Sequence, residues 1–513
     1  MSDLPSLSAK ASHKKSVTAP AAETAPATPQ EPSEPKEEKT FNRSNLPMAD
    51  VAHEEKVDIS PLIFRAYDIR GTVPDMLNTD VIHLIGKAVA SQTLEAGQSA
   101  LIVARDGRLS GPELSEALIE GILSTGCDVI NIGEVPTPLL YFACHQLDSQ
   151  SGVVITGSHN PADYNGLKIV INRDTLSGDQ IQSLLADINT SRFKSGQGQH
   201  SEAEIIPQYI EYITEDVILA TSPKIVVDCG NGVAGAIAPT LLTELGCEVI
   251  PLYCEVDGHF PNHHPDPSKE ENLKDLINAV IDQQADLGLA FDGDGDRIGV
   301  ITNQGKIIWP DRLMMLYAKD LLIRNPGADI IFDVKCSRNL AELISSLGGR
   351  PLMWKTGHSL IKSKLKETNA SLAGEMSGHI FFNDRWFGFD DGLYSAARLL
   401  EILTTELQTS DEIFAELPED LSTPELSIPV PEEEKFAIIE QLTQQGQFGK
   451  GKVSHLDGVR VDFPKAWGLV RASNTTAILT ARFEAQSPEA LQQIQELFKH
   501  QLLAIDDTLA LPF

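Results

Sequence analysis

An apolar run passes directly into a polar segment in Val153-Val154-Ile155-Thr156-Gly157-Ser158-His159-Asn160-Pro161. Its first three residues are apolar and predict a short buried strand, and the next six predict a loop at the carboxyl end of that strand. Open α/β sheets bind their ligands at this end of their strands. Within the loop, Gly157 permits close backbone approach, and His159 can move a proton or pair with an anion. Taken alone, the loop is more typical of an ordinary turn than of a functional site.

The same arrangement recurs twice further along the chain. Three blocks of strand, helix, strand, helix, strand follow one another, and the third strand of each block ends in a polar segment: residues 156–161, 292–297 and 374–379. Repetition at so long a period indicates a triplicated domain, and alternation of strands with helices favours mostly parallel, three-layer sheets. The three polar loops converge if the domains face one cleft.

The remaining chain differs from these blocks at both ends. Residues 458–463, 468–471 and 477–483 predict three strands, and Ser487-Pro488 predicts the start of a helix. The first 56 residues are rich in Ser, Ala, Pro, Glu and Lys and are predicted to be disordered, with Met48 as an alternative start.

The predicted fold class is therefore α/β, with three similar three-layer αβα domains containing mixed, mostly parallel sheets, and a smaller α+β C-terminal domain, around a central cleft. The predicted domain bounds are 57–205, 206–306, 307–420 and 421–513, after a tail of residues 1–56. Each of the four domains is expected to carry one polar loop, at residues 156–161, 292–297, 374–379 and 471–475 in order.

Composition excludes several classes of partner. The 513 residues carry a formal charge of −32, which argues against nucleic acid and anionic membranes as partners. The six cysteines show no C-x-x-C spacing, so we expect reduced, buried thiols in a cytoplasmic protein and no zinc site. No apolar run approaches the roughly 18 to 20 residues of a membrane span.

The loop after the third strand of the second block suits a metal ion. Asp292, Asp294 and Asp296 alternate with glycines, so three carboxylates can point the same way while the backbone curls around an ion. Oxygen ligands indicate a hard cation, Mg²⁺ first and Ca²⁺ second. An EF-hand does not fit, because Arg297 and Asn303 replace its sixth-position Gly and twelfth-position Glu. A solvated acidic turn is the simpler alternative, but buried carboxylates need compensation.

The other loops add the parts needed for phosphate chemistry. Arg297 offers a planar positive fork beside the metal loop, and a hard cation with Ser158 and arginines points to phosphoryl transfer. Ser158 is then the phosphate carrier, and its phosphate oxygen is a further metal ligand. Glu375 and Ser377 suit hydrogen bonds to neighbouring sugar hydroxyls, with His379 as an acid or base. Residues 471–475 suit a nest that anchors a phosphate which is not transferred.

Two further patterns have competing interpretations. Gly230-Asn231-Gly232-Val233-Ala234-Gly235 matches the dinucleotide fingerprint, with Glu255 after the next strand. Because the equivalent turns of the other blocks lack this glycine pattern, tight packing is the favoured explanation. His263-His264 could bind a metal, but a structured polar loop is favoured.

Together, the four loops resemble those of the α-D-phosphohexomutase family, most closely its bacterial phosphomannomutase/phosphoglucomutase branch. The resemblance covers about residues 60–513 and leaves the tail unmatched. It includes the phosphoserine loop at 156–161, the metal loop at 292–297, the sugar loop at 374–379 and the phosphate loop at 471–475. It also includes the segment 64–71 and Lys168 in Asn165-Gly166-Leu167-Lys168.

This resemblance implies an activity. Phosphorylated Ser158 donates to a hexose monophosphate, and the hexose 1,6-bisphosphate intermediate returns its other phosphate to Ser158, which interconverts the 1- and 6-phosphates of mannose and of glucose. The metal implied is Mg²⁺, held by Asp292, Asp294, Asp296 and the Ser158 phosphate. Glucose 1,6-bisphosphate or mannose 1,6-bisphosphate is the implied activator. The product feeds nucleotide-sugar and polysaccharide synthesis, and the enzyme is expected to be a cytoplasmic monomer.

The resemblance also implies roles for further residues. The candidates for proton transfer are Lys168, Arg70 and His379, in that order. Glu375 and Ser377 hold the 3- and 4-hydroxyls of the sugar; since glucose and mannose differ at hydroxyl 2, both can share the site. The rest of the substrate shell is Tyr67, Arg297, Lys335, His358, His379, Arg471, Ser473, Asn474 and Thr475.

Three alternative functions remain open at this point. The first is a non-catalytic sensor of sugar phosphates, against which the intact Ser158, Lys168 and metal aspartates count. The second is a Mg²⁺-dependent phosphatase that uses Asp292 as its nucleophile. The third is the dinucleotide-binding protein that the glycine pattern allows.

Overall fold

The computed structural model of the chain describes residues 57–474 and 476–513. The predicted disordered tail, Met48 and the predicted phosphate ligand Thr475 lie outside the described residues. Among the described residues, no helix is long and apolar enough to cross a membrane. All six cysteines are free thiols, and every one except the half-buried Cys254 is buried.

The first sheet has seven strands: β1 (Ile69–Thr72), β2 (Ala100–Arg105), β3 (Asp128–Glu134), β4 (Gly152–Ile155), β5 (Tyr164–Ile171), β6 (Asp174–Thr175) and β7 (His200–Glu202). The strand order is β1-β5-β4-β2-β3-β7, with β6 beside β5. The helices around it are α1 (Thr79–Glu95), α2 (Gly111–Leu123), α3 (Thr137–Gln146) and α4 (Asp179–Asn189). Both faces are covered, because Leu101 and Val103 of β2 belong to one apolar cluster while Ile102 and Ala104 belong to another. This is the predicted three-layer arrangement.

The second sheet has strand order β12-β11-β10-β8-β9. Its segment contains α5 (Ile206–Asp216), β8 (Lys224–Asp228), α6 (Ala238–Glu244), β9 (Glu248–Leu252), α7 (Lys274–Gln283), β10 (Leu287–Phe291), β11 (Ile298–Thr302) and β12 (Ile307–Ile308). The predicted boundary between residues 306 and 307 therefore cuts this sheet, because Ile307 and Ile308 pair with β11. We propose that the second domain extends to residue 308.

The third sheet has strand order β14-β13-β15-β16. Its segment contains α8 (Pro310–Arg324), β13 (Asp329–Asp333), α9 (Arg338–Ser346), β14 (Arg350–Trp354), α10 (His358–Thr368), β15 (Leu372–Gly374), β16 (Ile380–Phe382), α11 (Gly392–Thr405) and α12 (Ser410–Ala415). Asp391 begins α11 as its N-cap, accepting a hydrogen bond from the backbone of Tyr394.

The fourth sheet is antiparallel throughout and contains the three predicted strands. Its elements are β17 (Leu421–Ser422), β18 (Leu426–Pro429), α13 (Lys435–Gln445), β19 (Lys452–Ser454), β20 (Val459–Phe463), β21 (Ala466–Ala472), β22 (Ile478–Ala485) and α14 (Pro488–Ile505). Ser487 caps α14 as predicted, and Ile494, Phe498 and Leu502 form its buried face. The predicted α/β class with a C-terminal α+β domain is confirmed.

One feature of the three larger sheets positions the functional loops. Strands β4, β10 and β15 pair in parallel with β2, β8 and β13, but each then turns back into an antiparallel neighbour, β5, β11 or β16. Each polar loop therefore connects a parallel strand to its antiparallel neighbour at the same end of the sheet. Residues of the returning strand, such as Lys168 on β5, consequently lie beside the loop.

A glycine contact between α1 and α2 gives a test of the first domain. A Cβ at Gly121 would lie 2.2 Å from the backbone oxygen of His83. Gly121→Ala should gain about 1 kcal/mol of helix propensity. It should nevertheless lower the free energy of unfolding by about 1–3 kcal/mol, because the helices must separate.

Denaturant unfolding monitored by circular dichroism measures the difference. Glu116→Ala, at an exposed position of the same helix, is the control and should change stability by less than about 0.5 kcal/mol. A Gly121→Ala protein as stable as the wild type would contradict the close contact between α1 and α2.

Candidate active site

The predicted loops line one cleft of about 820 Å³. All four segments of the described chain contribute to its wall. The sequence-predicted residues that line it are Tyr67, Arg70, Ser158, Lys168, Arg297, Lys335, His358, Glu375, Ser377, His379, Arg471, Ser473 and Asn474. The three metal-loop aspartates are fully buried directly beneath Ser158. The structure therefore brings together every predicted site residue that it describes.

Ser158 stands at the junction of the first two domains. Its Oγ donates to Oδ2 of Asp292 at 3.0 Å and lies 3.2 Å from Nδ1 of His159. Its backbone is left-handed, with φ +47°, a conformation that a non-glycine residue keeps only where its surroundings hold it. Burial lowers the pKa of His159 well below its usual range, and the nearby arginines add to this. His159 is therefore neutral beside the serine.

Arg108 holds the Ser158 loop from beneath. Its guanidinium is buried and donates to the backbone oxygens of Ser158 (2.7 Å), Asn160 (2.6 Å), Pro161 (2.5 Å) and Tyr164 (2.9 Å). Asp106 complements it, accepting from Arg108 and from the hydroxyl of Thr156. Four carbonyls converging on one planar cation fix the loop in a single shape.

Two glycines allow this close approach. A Cβ at Gly157 would lie 2.3 Å from Cζ of Arg108, so Arg108 can approach the loop backbone only when residue 157 is glycine. A Cβ at Gly293 would lie 2.3 Å from the carbonyl oxygen of Ser158. The serine loop and the metal loop therefore touch backbone to backbone.

The metal loop packs its carboxylates together without water-accessible surface. Asp292, Asp294 and Asp296 are fully buried, and each offers an oxygen within 4.8 Å of the others. Lys168 donates to Oδ2 of Asp294 at 2.7 Å and also to Oδ2 of Asp296. Thr137, at the start of α3, donates to Asp294 as well.

Electrostatics separate the three carboxyl groups. Burial raises the pKa of Asp292 well above its usual range, and repulsion from Asp296 and Asp294 adds to the effect. Burial also opposes ionisation of Asp294 and Asp296, but Lys168 outweighs it and lowers both pKa values. The same carboxylates outweigh burial at Lys168 and raise its pKa. The charge of Asp292 is thus the least compensated of the three.

These residues fit a hard cation. All the donors are carboxylate oxygens, which Mg²⁺ and Ca²⁺ prefer. Within residues 57–474 and 476–513, buried Oδ1 of Asp294 has no hydrogen-bond partner. A buried acceptor left unpaired costs free energy, so an added cation would satisfy both this oxygen and the excess charge.

Arg70 approaches Ser158 from the first strand of the sheet. It donates to the side-chain oxygen of Asn160 at 2.6 Å and pairs with Asp68 at 2.7 Å. Its buried Nε has no hydrogen-bond partner in the described part of the chain. A free guanidinium donor beside the serine loop is suited to an anion.

The sugar loop forms a compact hydrogen-bonded group. Glu375 accepts from the backbone of Gly357 at 2.6 Å and lies 3.2 Å from Nδ1 of His379. Ser377 Oγ is 2.8 Å from the same ring nitrogen. Burial lowers the pKa of His379, but the carboxylates of Asp296 and Glu375 outweigh it and raise the pKa to about 9. His379 therefore links the metal loop to the sugar loop.

Aromatic and basic side chains complete the wall opposite Ser158. His358 begins α10, and its ring stacks on His379 at 5.6 Å and meets Tyr67 edge-on at 5.3 Å. Burial, followed by repulsion from the carboxylate of Asp68, raises the pKa of Tyr67 to about 12. The buried Asp390 lies 3.3 Å from Nδ1 of His358 and accepts from Lys362 at 2.8 Å.

Two cations at the border of the third and fourth segments, Lys335 and Arg471, are already paired with carboxylates of the fourth. Nε of Arg471 donates to Asp457 at 3.0 Å, and Lys335 pairs with Glu425 at 2.9 Å. Buried Nη2 of Arg471 finds no hydrogen-bond partner among the described residues. Ser473 Oγ lies 2.8 Å from the hydroxyl of Thr476. This group has the cations, hydroxyls and spare donor that an anion site needs.

Sequence reasoning missed several partners of these residues. Asp106 and Arg108 lie in a polar turn directly after β2, but nothing in the sequence indicates that they contact the Ser158 loop. Thr137 and Asp390 carried no sequence signal, since each lies at or near the start of a helix far from its partner along the chain.

The two ambiguous patterns have structural roles in the described chain. A Cβ at Gly232 would lie 2.9 Å from the oxygen of Gly293, so the glycine-rich turn packs closely on the metal loop. His263 pairs with Asp228 at 3.0 Å and contacts the backbone of His264, which holds a polar loop.

Comparison with known proteins places these features in a family. Four domain profiles match in order: "Phosphoglucomutase/phosphomannomutase, alpha/beta/alpha domain I" at residues 61–195, domain II at 207–305, domain III at 309–421, and the C-terminal domain at 425–501. The chain is 60% identical over 451 residues to a phosphomannomutase/phosphoglucomutase of Pseudomonas aeruginosa, covering 88% of this chain and 97% of that protein.

Two further proteins are similar over nearly the same length. A phosphoglucomutase of Neisseria gonorrhoeae is 52% identical over 441 residues, covering 85% of this chain and 96% of that protein. A crystal structure of a phosphoglucomutase/phosphomannomutase family protein from Burkholderia thailandensis has a TM-score of 0.85 and 49% identity, covering 89% of this chain and 100% of that one.

The four hydrogen bonds of Arg108 predict that a positive charge alone cannot hold the Ser158 loop in place. Arg108→Lys keeps the positive charge but loses the fork that reaches four carbonyls. We expect a loss of about 3 kcal/mol in unfolding free energy, because buried acceptors lose their donors.

Chemical denaturation measures the loss. Arg105→Lys, three residues earlier, is the matched control: it leaves an ion pair that is partly exposed and should cost less than about 1 kcal/mol. Equal losses of unfolding free energy in the two variants would contradict the role of Arg108 in holding the Ser158 loop.

The buried carboxylates predict a metal-dependent gain in stability. Mg²⁺ at about a hundred times its Kd should raise the unfolding free energy by about 2.7 kcal/mol. Asp292→Asn removes the least compensated charge, so this variant should be at least as stable as the wild type without metal and should lose most of the Mg²⁺ effect.

Thermal unfolding with and without MgCl₂ provides the measurement. Asp257→Asn, at an exposed carboxylate of the same domain, is the control and should keep the full Mg²⁺ effect. An undiminished Mg²⁺ effect in Asp292→Asn would exclude the carboxylate cluster as the binding site.

Proposed function

Because the chain belongs to the phosphoglucomutase/phosphomannomutase family, we propose that it catalyses reversible phosphoryl transfer between the 1- and 6-positions of hexose phosphates. It is an enzyme of the phosphomannomutase/phosphoglucomutase class. One observation carries the proposal: Ser158 Oγ lies 3.0 Å from Asp292 at the floor of a cleft that all four segments line. The proposed substrates are the 1- and 6-phosphates of mannose and glucose.

Ser158 is the proposed phosphate carrier. In the first half-reaction, the bond between phosphorus and Oγ breaks while a new bond forms to a hydroxyl oxygen of the hexose monophosphate; that hydroxyl loses its proton, and Oγ of Ser158 gains one. The hexose 1,6-bisphosphate then presents its other phosphate, and the reverse transfer rephosphorylates Ser158. The second half restores the starting enzyme, so atoms and charges balance over the cycle.

Mg²⁺ is the proposed cofactor, held by Asp292, Asp294, Asp296 and the phosphate on Ser158. When bound, it supplies positive charge that neutralises the transferring phosphoryl group. Arg297 adds a cation at the same edge, since its Nε is 3.7 Å from Asp292 and its backbone donates to that carboxylate. Arg108 fixes the serine, so the chain contributes position as well as charge.

Substrate orientation is proposed to divide between two loops. Glu375 and Ser377 hold the 3- and 4-hydroxyls, whereas Arg471, Ser473 and Asn474 hold the phosphate that is not transferred, together with Thr475. A sugar held only by hydroxyls 3 and 4 can bind with either phosphate facing Ser158. It can also be glucose or mannose, because these differ at hydroxyl 2. Tyr67, Lys335 and His358 complete the shell.

The transfer moves two protons: one leaves the sugar hydroxyl, and one reaches Oγ of Ser158 as its phosphoryl group departs. Lys168, Arg70 and His379 are the proposed candidates for proton transfer, in that order. Lys168 contacts two of the metal-loop carboxylates, which favour its ammonium form, so it is suited to give a proton to Ser158 and to regain it in the return transfer. His379 bridges Asp296 and Glu375 and can exchange a proton with the sugar loop.

The setting in the cell is part of the proposal. We expect a cytoplasmic monomer that uses glucose 1,6-bisphosphate or mannose 1,6-bisphosphate as activator. Its sugar 1-phosphates would supply nucleotide-sugar and polysaccharide synthesis.

The decisive variant is Ser158→Ala. Loss of the carrier should reduce conversion of glucose 1-phosphate and mannose 1-phosphate by at least about 10²-fold, or about 2.7 kcal/mol, with Mg²⁺ and bisphosphate activator present. Radiolabelled glucose 1,6-bisphosphate should label Ser158 in the wild type and leave Asp292 unlabelled.

Ser183→Ala, on the surface helix α4, is the control and should retain full activity and labelling. Full activity of Ser158→Ala would refute the carrier role. Label on Asp292 would favour the phosphatase alternative, and tight bisphosphate binding without turnover would favour a sensor.

A further inference from the structure

A second cavity, of about 450 Å³, lies between the first and third domains. Its wall consists of α3, the β5–β6 hairpin, α10 and the loop before α11. Ligand sites of this volume bury small organic molecules and commonly lie at domain interfaces. The cavity shares none of the residues that line the central cleft.

The cavity gathers cations in a strongly acidic chain. Arg173, Lys362 and Lys366 line it, and Asp174 is the only carboxylate among the described residues of its lining. Asp174 is already paired with Lys366 across the domain interface. Lys362 is likewise paired with Asp390, which leaves Arg173 as the lining cation without a carboxylate partner among the described residues. In a chain of charge −32, such an unpaired cation favours a small anion.

Arg173 occupies a backbone position where glycine costs less. Asn172 and Arg173 have φ values of +54° and +62° and form the two-residue turn between β5 and β6. Asn-Gly is the favoured pair in such a turn, because both positions need positive φ. Only Nε of Arg173 has a hydrogen bond among the described contacts, to the backbone of Cys144 at 3.0 Å. Arg173 therefore lies at the rim of the cavity although its positive φ disfavours a residue with a side chain.

Rings form the opposite part of the wall. Tyr141, His145, Phe387 and Phe389 line it, and His145 stacks on Phe387 at 4.5 Å. Burial, with a further contribution from Arg173, lowers the pKa of His145 to about 4, so this ring is neutral. The buried hydroxyl of Tyr141 has no hydrogen-bond partner in the described chain. The amides that line the cavity belong to Gln150, Asn172, Asn369 and Asn383.

We propose that this cavity binds a nucleoside phosphate and that its occupancy changes substrate affinity in the central cleft. Tyr141 and Phe389 are buried, so the half-buried rings of His145 and Phe387 offer the surface for a planar base. The amides offer donors and acceptors for the edge of the base. Arg173 and Lys366 lie where a phosphate can bind. A sugar phosphate without a base would leave the ring wall uncovered.

Three connections link the cavity to the central cleft. Lys362 lines the cavity and donates to Asp390 at 2.8 Å, and Asp390 lies 3.3 Å from His358. Val170 lines the cavity on the strand that carries Lys168, two residues away and on the same face. Helix α3 lines the cavity and begins at Thr137, which donates to Asp294. A ligand that favours one arrangement of the two domains therefore affects both sites, and the coupling is reciprocal.

Binding is tested by calorimetry on the full chain with Ser158→Ala, its central cleft saturated with glucose 1-phosphate. Adenosine and guanosine 5′-monophosphates are the probes, and at least one should bind with a Kd below about 1 mM. Ribose 5-phosphate, which lacks the base, and adenosine, which lacks the phosphate, should each bind at least about tenfold more weakly. No nucleotide binding, or equal binding of ribose 5-phosphate, would overturn the proposal.

Arg173→Gly tests the site without weakening the fold, because glycine suits the turn. Nucleotide affinity should fall at least about tenfold in this variant. Arg192→Ala removes an exposed arginine of the same domain away from the cavity and should bind as the unaltered protein does. Unchanged nucleotide affinity in Arg173→Gly would place the ligand elsewhere and overturn the assignment.

The coupling rests on the proposed mutase activity, whereas the binding measurement does not. In protein with Ser158 intact, nucleotide should change the KM for glucose 1-phosphate by about fivefold or more. The change should be absent in Arg173→Gly, whose activity without nucleotide should equal that of the wild type. Nucleotide binding with an unchanged KM would overturn the coupling. A protein that binds nucleotide but has no mutase activity would instead refute the function proposed above.

Discussion

The structure depends on burying three carboxylates of one domain against a lysine of another. Asp292, Asp294 and Asp296 cannot stay charged in the interior without compensation, and Lys168 supplies part of it from β5 of the first domain. The first two domains are therefore joined by charge at the same place where Ser158 meets Asp292. A residual negative charge remains, which explains why the site suits a cation and why its surroundings are so tightly packed.

Around this centre, backbone geometry is fixed by side chains from a distance. Arg108 binds four carbonyls of the serine loop, and Gly293 lets the metal loop touch that loop directly. The left-handed backbone at Ser158 is stable only because these contacts leave it no alternative. Precise placement of the serine thus comes from the first domain, while the charge beneath it comes from the second.

The sequence predicted the repeat, the fold class and the residues of each loop, because alternating strands and polar loops leave a local pattern. It did not predict that β5, β11 and β16 return antiparallel beside the loops, because strand direction leaves no periodic signal, and β12 has only two residues. For the same reason, the boundary at residue 306 divided the second sheet. Asp106, Arg108 and Asp390 were missed because their partners are distant in the chain, and such pairs leave no periodic signal.

The ion pairs of Lys335 and Arg471 also bear on the proposed phosphate site. These cations are already paired with Glu425 and Asp457, so a phosphate bound there would compete with carboxylates of the chain, while Nη2 of Arg471 has no partner among the described residues. Binding at the proposed site would then be an exchange of one anion for another. In such an exchange a dianion gains more than a monoanion, and the chain's own carboxylates would favour release over tight retention.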